Sequence, residues 1–165
     1  MPHIGIYSGT FDPVHAGHLA FANTATEASR LDYVVFMPEE QPRGKTNVSD
    51  IDRRVLLLRD SLATTNHTVY RANQPRFTIA ETLPELIEKY QGATLSFLLG
   101  SDVVSSLPKW PDVELLIANH TLIIGMRAHD HTKDIASILD QLGASYTIVT
   151  TPHAHVSSSQ LRLAS

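Results

Sequence analysis

Cysteine is absent from the 165 residues, which excludes disulfides, thiolate metal sites and a cysteine nucleophile. Long apolar runs are missing too. None approaches the roughly 18 consecutive residues a membrane helix needs, so no membrane partner is expected. The opening residues, Met1-Pro2-His3, lack the basic region of a secretory signal, and glycine and aspartate soon interrupt the apolar stretch that follows. The expected location is therefore a reducing cytoplasm. There the sequons at Asn47, Asn66 and Asn119 are surface turns or strand edges rather than glycosylation sites. Positive charge is also short: Lys and Arg number 13 against 17 Asp and Glu, for a net charge of −4. A nucleic-acid surface generally needs a basic face, so none is expected. A small anionic ligand remains compatible, because a few backbone amides and one or two cations are enough to hold a phosphate.

What is present suits a single α/β domain over residues 1–165. Hydrophobic residues make up 42% of the chain and charged residues 18%, enough for one continuous core. Short apolar, β-rich runs at 3–7, 33–37, 68–70, 94–99, 121–126 and 146–149 alternate with amphipathic helical runs. Helices are expected over 18–30, from Asp50 through the Ile51, Val55, Leu58 and Leu62 stripe, and over 79–90 with Pro84 in the first turns. Three more are expected near 112–117, over 135–142 and from Ser157 to Leu163. Strands joined by helical crossovers form an open, doubly wound parallel sheet. Ligands bind such sheets beyond the carboxyl ends of the strands, at the topological switch point. The stretches 8–18 and 100–102 are thus the first places to look.

The first of these reads Ser8-Gly9-Thr10-Phe11-Asp12-Pro13-Val14-His15-Ala16-Gly17-His18. Gly9 lets the chain turn as it leaves the strand, so that Thr10 and Phe11 can aim N–H groups into the crevice. Gly17 permits close approach, and His15 and His18 share one side of the helix's first turn. A helix N-terminus attracts anions, and two imidazoles there complete a phosphate-binding corner. A lone histidine at a helix start is ordinarily a surface residue. A His-x-x-His pair can bind metal, but this one has no third ligand nearby and lacks the glutamate of the zinc-protease pattern. Two histidines, two glycines and Asp12-Pro13 together right after the first strand are a far rarer combination.

Gly9 to His18 resembles the signature of the HxGH nucleotidylyltransferase superfamily, in the form carried by bacterial nicotinate-nucleotide adenylyltransferases. Leu98-Leu99-Gly100-Ser101-Asp102 is similar to the family's Gly-x-Asp after the fourth strand. Leu107-Pro108-Lys109-Trp110 is similar to its tryptophan segment, and Phe77-Thr78 to Leu83 to its Tyr-Thr-x-x-Thr-Leu. Val156-Ser157-Ser158-Ser159-Gln160-Leu161-Arg162 is similar to its Ile-Ser-Ser-Thr-x-x-Arg. The likeness runs in order along nearly the whole chain. It implies a Rossmann-like sheet of order 3-2-1-4-5 and small-molecule substrates, ATP with Mg²⁺ and a mononucleotide. The implied reaction joins nicotinate mononucleotide to the adenylyl group of ATP and releases pyrophosphate, in NAD synthesis. A homo-oligomer is allowed. The chain ends soon after the serine motif, nearer in length to pantetheine-phosphate adenylyltransferases of the same superfamily, which keeps phosphopantetheine as a rival acceptor. A non-catalytic nucleotide-binding relative is the rival of another class.

The resemblance and the residues together give a set of expected roles. His15 and His18 donate to phosphate oxygens, while Lys45 and Arg162 neutralise the β- and γ-phosphates. Gly9, Thr10, Phe11, Gly17, Arg127 and Ser157, Ser158 and Ser159 line the ATP site. Thr78, Gly100, Asp102 and Trp110 line the acceptor site, with Trp110 stacking on the nicotinate ring. Several of these have plainer alternatives. Lys45 can be a solvated loop lysine, and Gly44-Lys45-Thr46 is not a P-loop because Glu39 stands where the first glycine is required. Thr78 and Asp102 can be helix caps, and Trp110 can be core. His129/His131 and His153/His155 look like metal ligands but read better as solvated turns.

Overall fold

A parallel strand buried on both faces must be apolar on both, and the central strands here are. The structure, a computed structural model, describes residues 1–151. Its strands are β1 His3–Gly9, β2 Tyr33–Pro38, β3 Thr68–Val69, β4 Thr94–Gly100, β5 Thr121–Gly125 and β6 Ser145–Val149. The helices are α1 Ala16–Ser29, α2 Ile51–Leu62, α3 Ile79–Lys89, α4 Val113–Asn119 and α5 Thr132–Leu142. The six strands form one sheet of order β3-β2-β1-β4-β5-β6, and every pairing is parallel. The expected order holds for the first five strands, and β6 extends it at the β5 edge.

Alternation along the strands divides the core into two layers. Ile4, Ile6, Val35, Met37, Leu95, Phe97, Leu122 and Ile124 pack with Leu86 of α3, Leu116 of α4 and Leu139 of α5. On the other face Val34, Phe36, Leu98 and Ile123 pack with Phe21, Ala22 and Ala25 of α1 and Leu58 and Leu62 of α2. The register sets Gly9 opposite Pro38 and Tyr7 opposite both Phe36 and Leu98. The loops after β1 and β4 therefore leave the sheet side by side. Among the described residues, no helix is long and apolar enough to cross a membrane.

Two helical expectations are revised. The helix expected at 18–30 starts at Ala16, because His15 is its N-cap, and it ends on Arg30 in the left-handed conformation, φ 53°. Pro84 lies deeper in α3 than the first turns. With no N–H to give, it leaves out the bond a helix would make to the carbonyl of Ala80. The amphipathic packing of Ile79, Leu83 and Leu86 keeps the helix continuous.

Gly125 ends β5 directly beneath the ring of Phe21, and a methyl group there would meet three ring atoms at 2.9–3.0 Å. Gly125→Ala should therefore push α1 off the sheet and cost about 1–3 kcal/mol of stability, as overpacking does. Urea denaturation of the full chain measures it, and an unchanged midpoint would show that the Phe21 ring yields freely.

Candidate active site

The N-terminus of α1 is closed by its own histidines. The Gly17 N–H donates to His15 Nδ1 at 3.0 Å, and the His15 N–H donates to His18 Nδ1 at 3.1 Å. This is a capping box in which imidazoles replace the usual hydroxyl and carboxylate. A backbone amide can only donate, so each Nδ1 must carry a lone pair. Both rings are thus neutral with the proton on Nε2. The rings stack, centroids 3.7 Å apart and planes 25° from parallel. Burial lowers the pKa of His18 to about 3, and the neighbouring His15, Arg127 and Lys45 depress it further.

Beneath the pair lies an aromatic floor. Phe11, buried and at φ 49°, meets His18 edge-on at 5.0 Å and Tyr7 edge-on at 5.0 Å. Gly9 serves this fold-back. It has no left-handed backbone angle to relieve, and a Cβ there would sit 3.0–3.3 Å from the Phe11 ring. The expected sharp turn at Gly9 is thus a close approach, and Phe11 is where the backbone takes its unusual angle.

The loop after β2 folds over this corner. Lys45 donates from Nζ to Thr10 Oγ1 at 2.9 Å, so the exposed lysine is directed to the turn after β1. The anchor is Arg54 on α2, 1% exposed. It donates from Nε to the Ser49 carbonyl at 2.9 Å and from Nη1 to the carbonyls of Thr10 and Glu39 at 2.9 and 2.7 Å. Its Nη2 donates to the Glu40 carbonyl at 3.2 Å. Asp12, also buried, accepts from the Ser49 N–H at 2.7 Å. Burial lowers the pKa of Arg54, opposed by the charges of Asp12, Asp50 and Glu40. Glu39 extends the chain of contacts: its carboxylate accepts from the Phe77 N–H at 2.8 Å, tying this loop to the segment before α3.

The ends of β4 and β5 build the opposite wall. Asp102 and Arg127 form a half-exposed ion pair, Nε to Oδ1 3.5 Å. The Asp102 carboxylate folds back over Gly100, where a Cβ would meet it at 2.5 Å. Ser101, fully buried, accepts from the Arg127 N–H at 2.7 Å and donates to Asp130 at 2.6 Å. Asp102 therefore sits within the 3₁₀ turn Ser101–Val103 and is not its cap. Burial raises the pKa of Tyr7, with Arg127 and Asp102 acting on it in opposite directions.

Thr78 and Trp110 are engaged within their own segments. Thr78 is the N-cap of α3: its hydroxyl accepts from the Glu81 N–H at 3.3 Å, and its own N–H donates to Thr82 Oγ1 at 3.0 Å. Trp110 is half-buried against the core and donates from Nε1 to Ser106 Oγ at 3.2 Å. His129 and His131 are exposed in the loop after β5. Among the described residues, no three His, Asp or Glu side chains gather as a metal site. The expected roles of Ser157, Ser158, Ser159 and Arg162, and the His153/His155 pair, lie outside the described residues.

Sequence reasoning passed over Arg54 and Tyr7, and gave Asp12 and Ser101 no role of their own although both lie in the stretches it singled out. For Arg54 a signal existed. It stands three residues after Ile51 and four before Leu58, inside the buried stripe of α2, where a charge must find partners or cost several kcal/mol.

The description cytidylyltransferase-like belongs to a family model that matches residues 6–164. Over 98% of its length the chain is 34% identical to a protein of Bacillus cereus named probable nicotinate-nucleotide adenylyltransferase, covering 85% of it. It is 32% identical to one of the same name from Corynebacterium kroppenstedtii, covering 98% of this chain and 78% of that one. The fold matches that of Plasmodium falciparum nicotinic acid mononucleotide adenylyltransferase complexed with NaAD. The TM-score is 0.80 at 18% identity, over 99% of this chain and 83% of that one.

A His18 pKa depressed to about 3 from the ordinary 6.5 keeps the ring neutral through the physiological range. Its ¹⁵N resonances should show the Nε2–H tautomer and no titration between pH 5 and 8. The linked stability is fully present above about pH 6.5 and is lost as pH falls toward the folded value. An imidazole that titrates near pH 6.5 would mean the cap is not formed.

Proposed function

The chain belongs to the cytidylyltransferase-like family, and from that premise we propose that it is a nicotinate-nucleotide adenylyltransferase. It transfers the adenylyl group of ATP to nicotinate mononucleotide, giving nicotinate adenine dinucleotide and pyrophosphate in NAD synthesis. The observation that carries the reading is the paired-imidazole cap at the carboxyl end of β1. Both Nδ1 atoms accept from backbone amides, which leaves Nε2–H as the side on which His18 donates to a ligand.

The reaction needs no protein nucleophile. A phosphate oxygen of the acceptor attacks the α-phosphorus, the bond to the bridging oxygen breaks, and pyrophosphate leaves with the electron pair. Catalysis of such a step is positioning and charge stabilisation. Neutral imidazoles suit it because they donate hydrogen bonds to the phosphate oxygens without giving up a proton. Charge comes from Lys45 and Arg127, both near enough to act on His18. Mg²⁺ enters as part of the substrate, on the triphosphate. Gly9 and Phe11 shape the turn that presents Thr10, and Gly17 opens the start of α1.

On the acceptor side, Asp102 over Gly100 supplies a carboxylate for a ribose hydroxyl, and Trp110 a face for the pyridine ring. Thr78, whose hydroxyl and N–H already serve its helix cap, orients the start of α3 toward the acceptor. The working location is the cytoplasm, without a nucleic-acid partner.

Pyrophosphate release from MgATP, measured separately with nicotinate mononucleotide, nicotinamide mononucleotide and phosphopantetheine, tests the reading. Release is expected with the first. Release only with phosphopantetheine would reassign the acceptor, and none with any acceptor despite ATP binding would point to a non-catalytic relative. His18→Ala should lower turnover on the order of 100-fold or more, the scale for one lost stabilising donor. His18→Gln, which places an amide N–H near the Nε2 position, should retain more turnover than His18→Asn, which mimics only the capping nitrogen. The reverse order would assign the ring to capping alone.

A further inference from the structure

A buried guanidinium that the transfer chemistry leaves unused joins the two loops of the phosphate side. Arg54 bonds the carbonyl of Thr10 in the turn after β1. It also bonds both ends of the loop that carries Lys45, Glu39 and Glu40 where the loop leaves and Ser49 where it returns. Asp12 holds the same return point from the other side through the Ser49 N–H. Between these anchors the loop reaches back so that Lys45 Nζ lies 2.9 Å from Thr10 Oγ1. Thr10 is therefore gripped twice, by its carbonyl from Arg54 and by its hydroxyl from Lys45.

The chemistry of the holder matters. Four carbonyls in two directions require the planar fork of donors that only arginine has, and a lysine ammonium is a point charge with three. Desolvating that charge is unfavourable, and an apolar residue at this place in the α2 stripe would pack at less cost. The site's geometry is what the charge obtains in return.

We infer that Arg54 is a positioning residue of the adenylyl transfer, setting the distance between the Thr10 turn and Lys45 so that both meet one nucleotide phosphate chain. The inference rests on the ATP reading above and goes beyond it, because it predicts coupling between two residues that do not touch. Arg54 acts on ATP only by setting Thr10 and Lys45 against each other, so loosening it and removing Lys45 weaken the same paired grip on the phosphates.

The test is a double-mutant cycle on the full chain, with MgATP affinity read by calorimetry and KM for each substrate read from pyrophosphate release. Arg54→Lys and Lys45→Ala should each weaken MgATP about tenfold, the scale of a hydrogen bond to a charged group. The double variant should be no weaker than either single one. KM for the mononucleotide should stay within about twofold, a split that general loss of structure does not produce. Losses that multiply to about 100-fold, or an Arg54→Lys variant that binds MgATP as the wild type does, would overturn the inference. If Arg54→Lys fails to fold, Asp12→Ala takes its place in the cycle. A full Lys45→Ala effect in that background would sink the idea equally. Wild-type chain that binds MgATP but transfers to no mononucleotide would refute the acceptor reading alone, since the calorimetric cycle does not depend on the acceptor.

Discussion

Every group at the site hangs from the point where β1 lies between β2 and β4. From there one crossover runs outward to β2 and the chain later returns on the other side to β4, so the loops after β1 and β4 part at their tips. Because all pairings are parallel, the strands end together, and the register aligns Gly9 with Pro38 and Gly100 with Gly125. A parallel sheet thus gathers the tails of four strands at one edge, where an open crevice is the geometric consequence. The apolar layers that hold the sheet are indifferent to what fills that crevice, and the chemistry lies in the residues that follow the strands.

Those residues make a site that is cationic at its rim and neutral at its centre. The helix terminus would ordinarily present free N–H groups, but His15 and His18 accept two of them and carry the donor function outward on their distal nitrogens. Burial keeps the His18 ring from protonating, and the neighbouring His15, Arg127 and Lys45 reinforce this. The proposed reaction would divide two tasks between these groups, directional hydrogen bonding by imidazole and charge neutralisation by the cations. A phosphate chain that passes charge from one oxygen to another during reaction requires both.

The cost of this precision is borne by buried polar groups. Arg54, Asp12 and Ser101 are all nearly inaccessible, and each is bonded to backbone of the loops it holds. Arg54 and Asp12 unite the turn after β1 with the loop after β2, while Ser101 joins the turn after β4 to the segment after β5. Glu39 links the first of these assemblies to Phe77. Loops that carry binding groups are held by side chains wherever secondary structure cannot supply the backbone's partners.

The amino-acid order by itself determined the fold class, because apolar runs of strand length alternating with amphipathic helical stripes admit little else. It also pointed to the candidate site, since Gly9 to His18 follows the first strand and carries two histidines at the spacing of one helical turn. Gly100 and Asp102 entered the candidate set for the same reason, as small and acidic residues at the end of a buried strand and just past it. What the order could not show was how loops distant along the chain meet. That Lys45 reaches Thr10, that Asp102 pairs with Arg127 and that Thr78 spends its groups on a helix cap depend on which strands lie side by side. Arg54 shows the limit most clearly. In the sequence it is one charge within an apolar stripe, and its meaning resides in carbonyls from three separate segments. Periodicity reports which way a side chain faces, and only the packed sheet decides what it finds there.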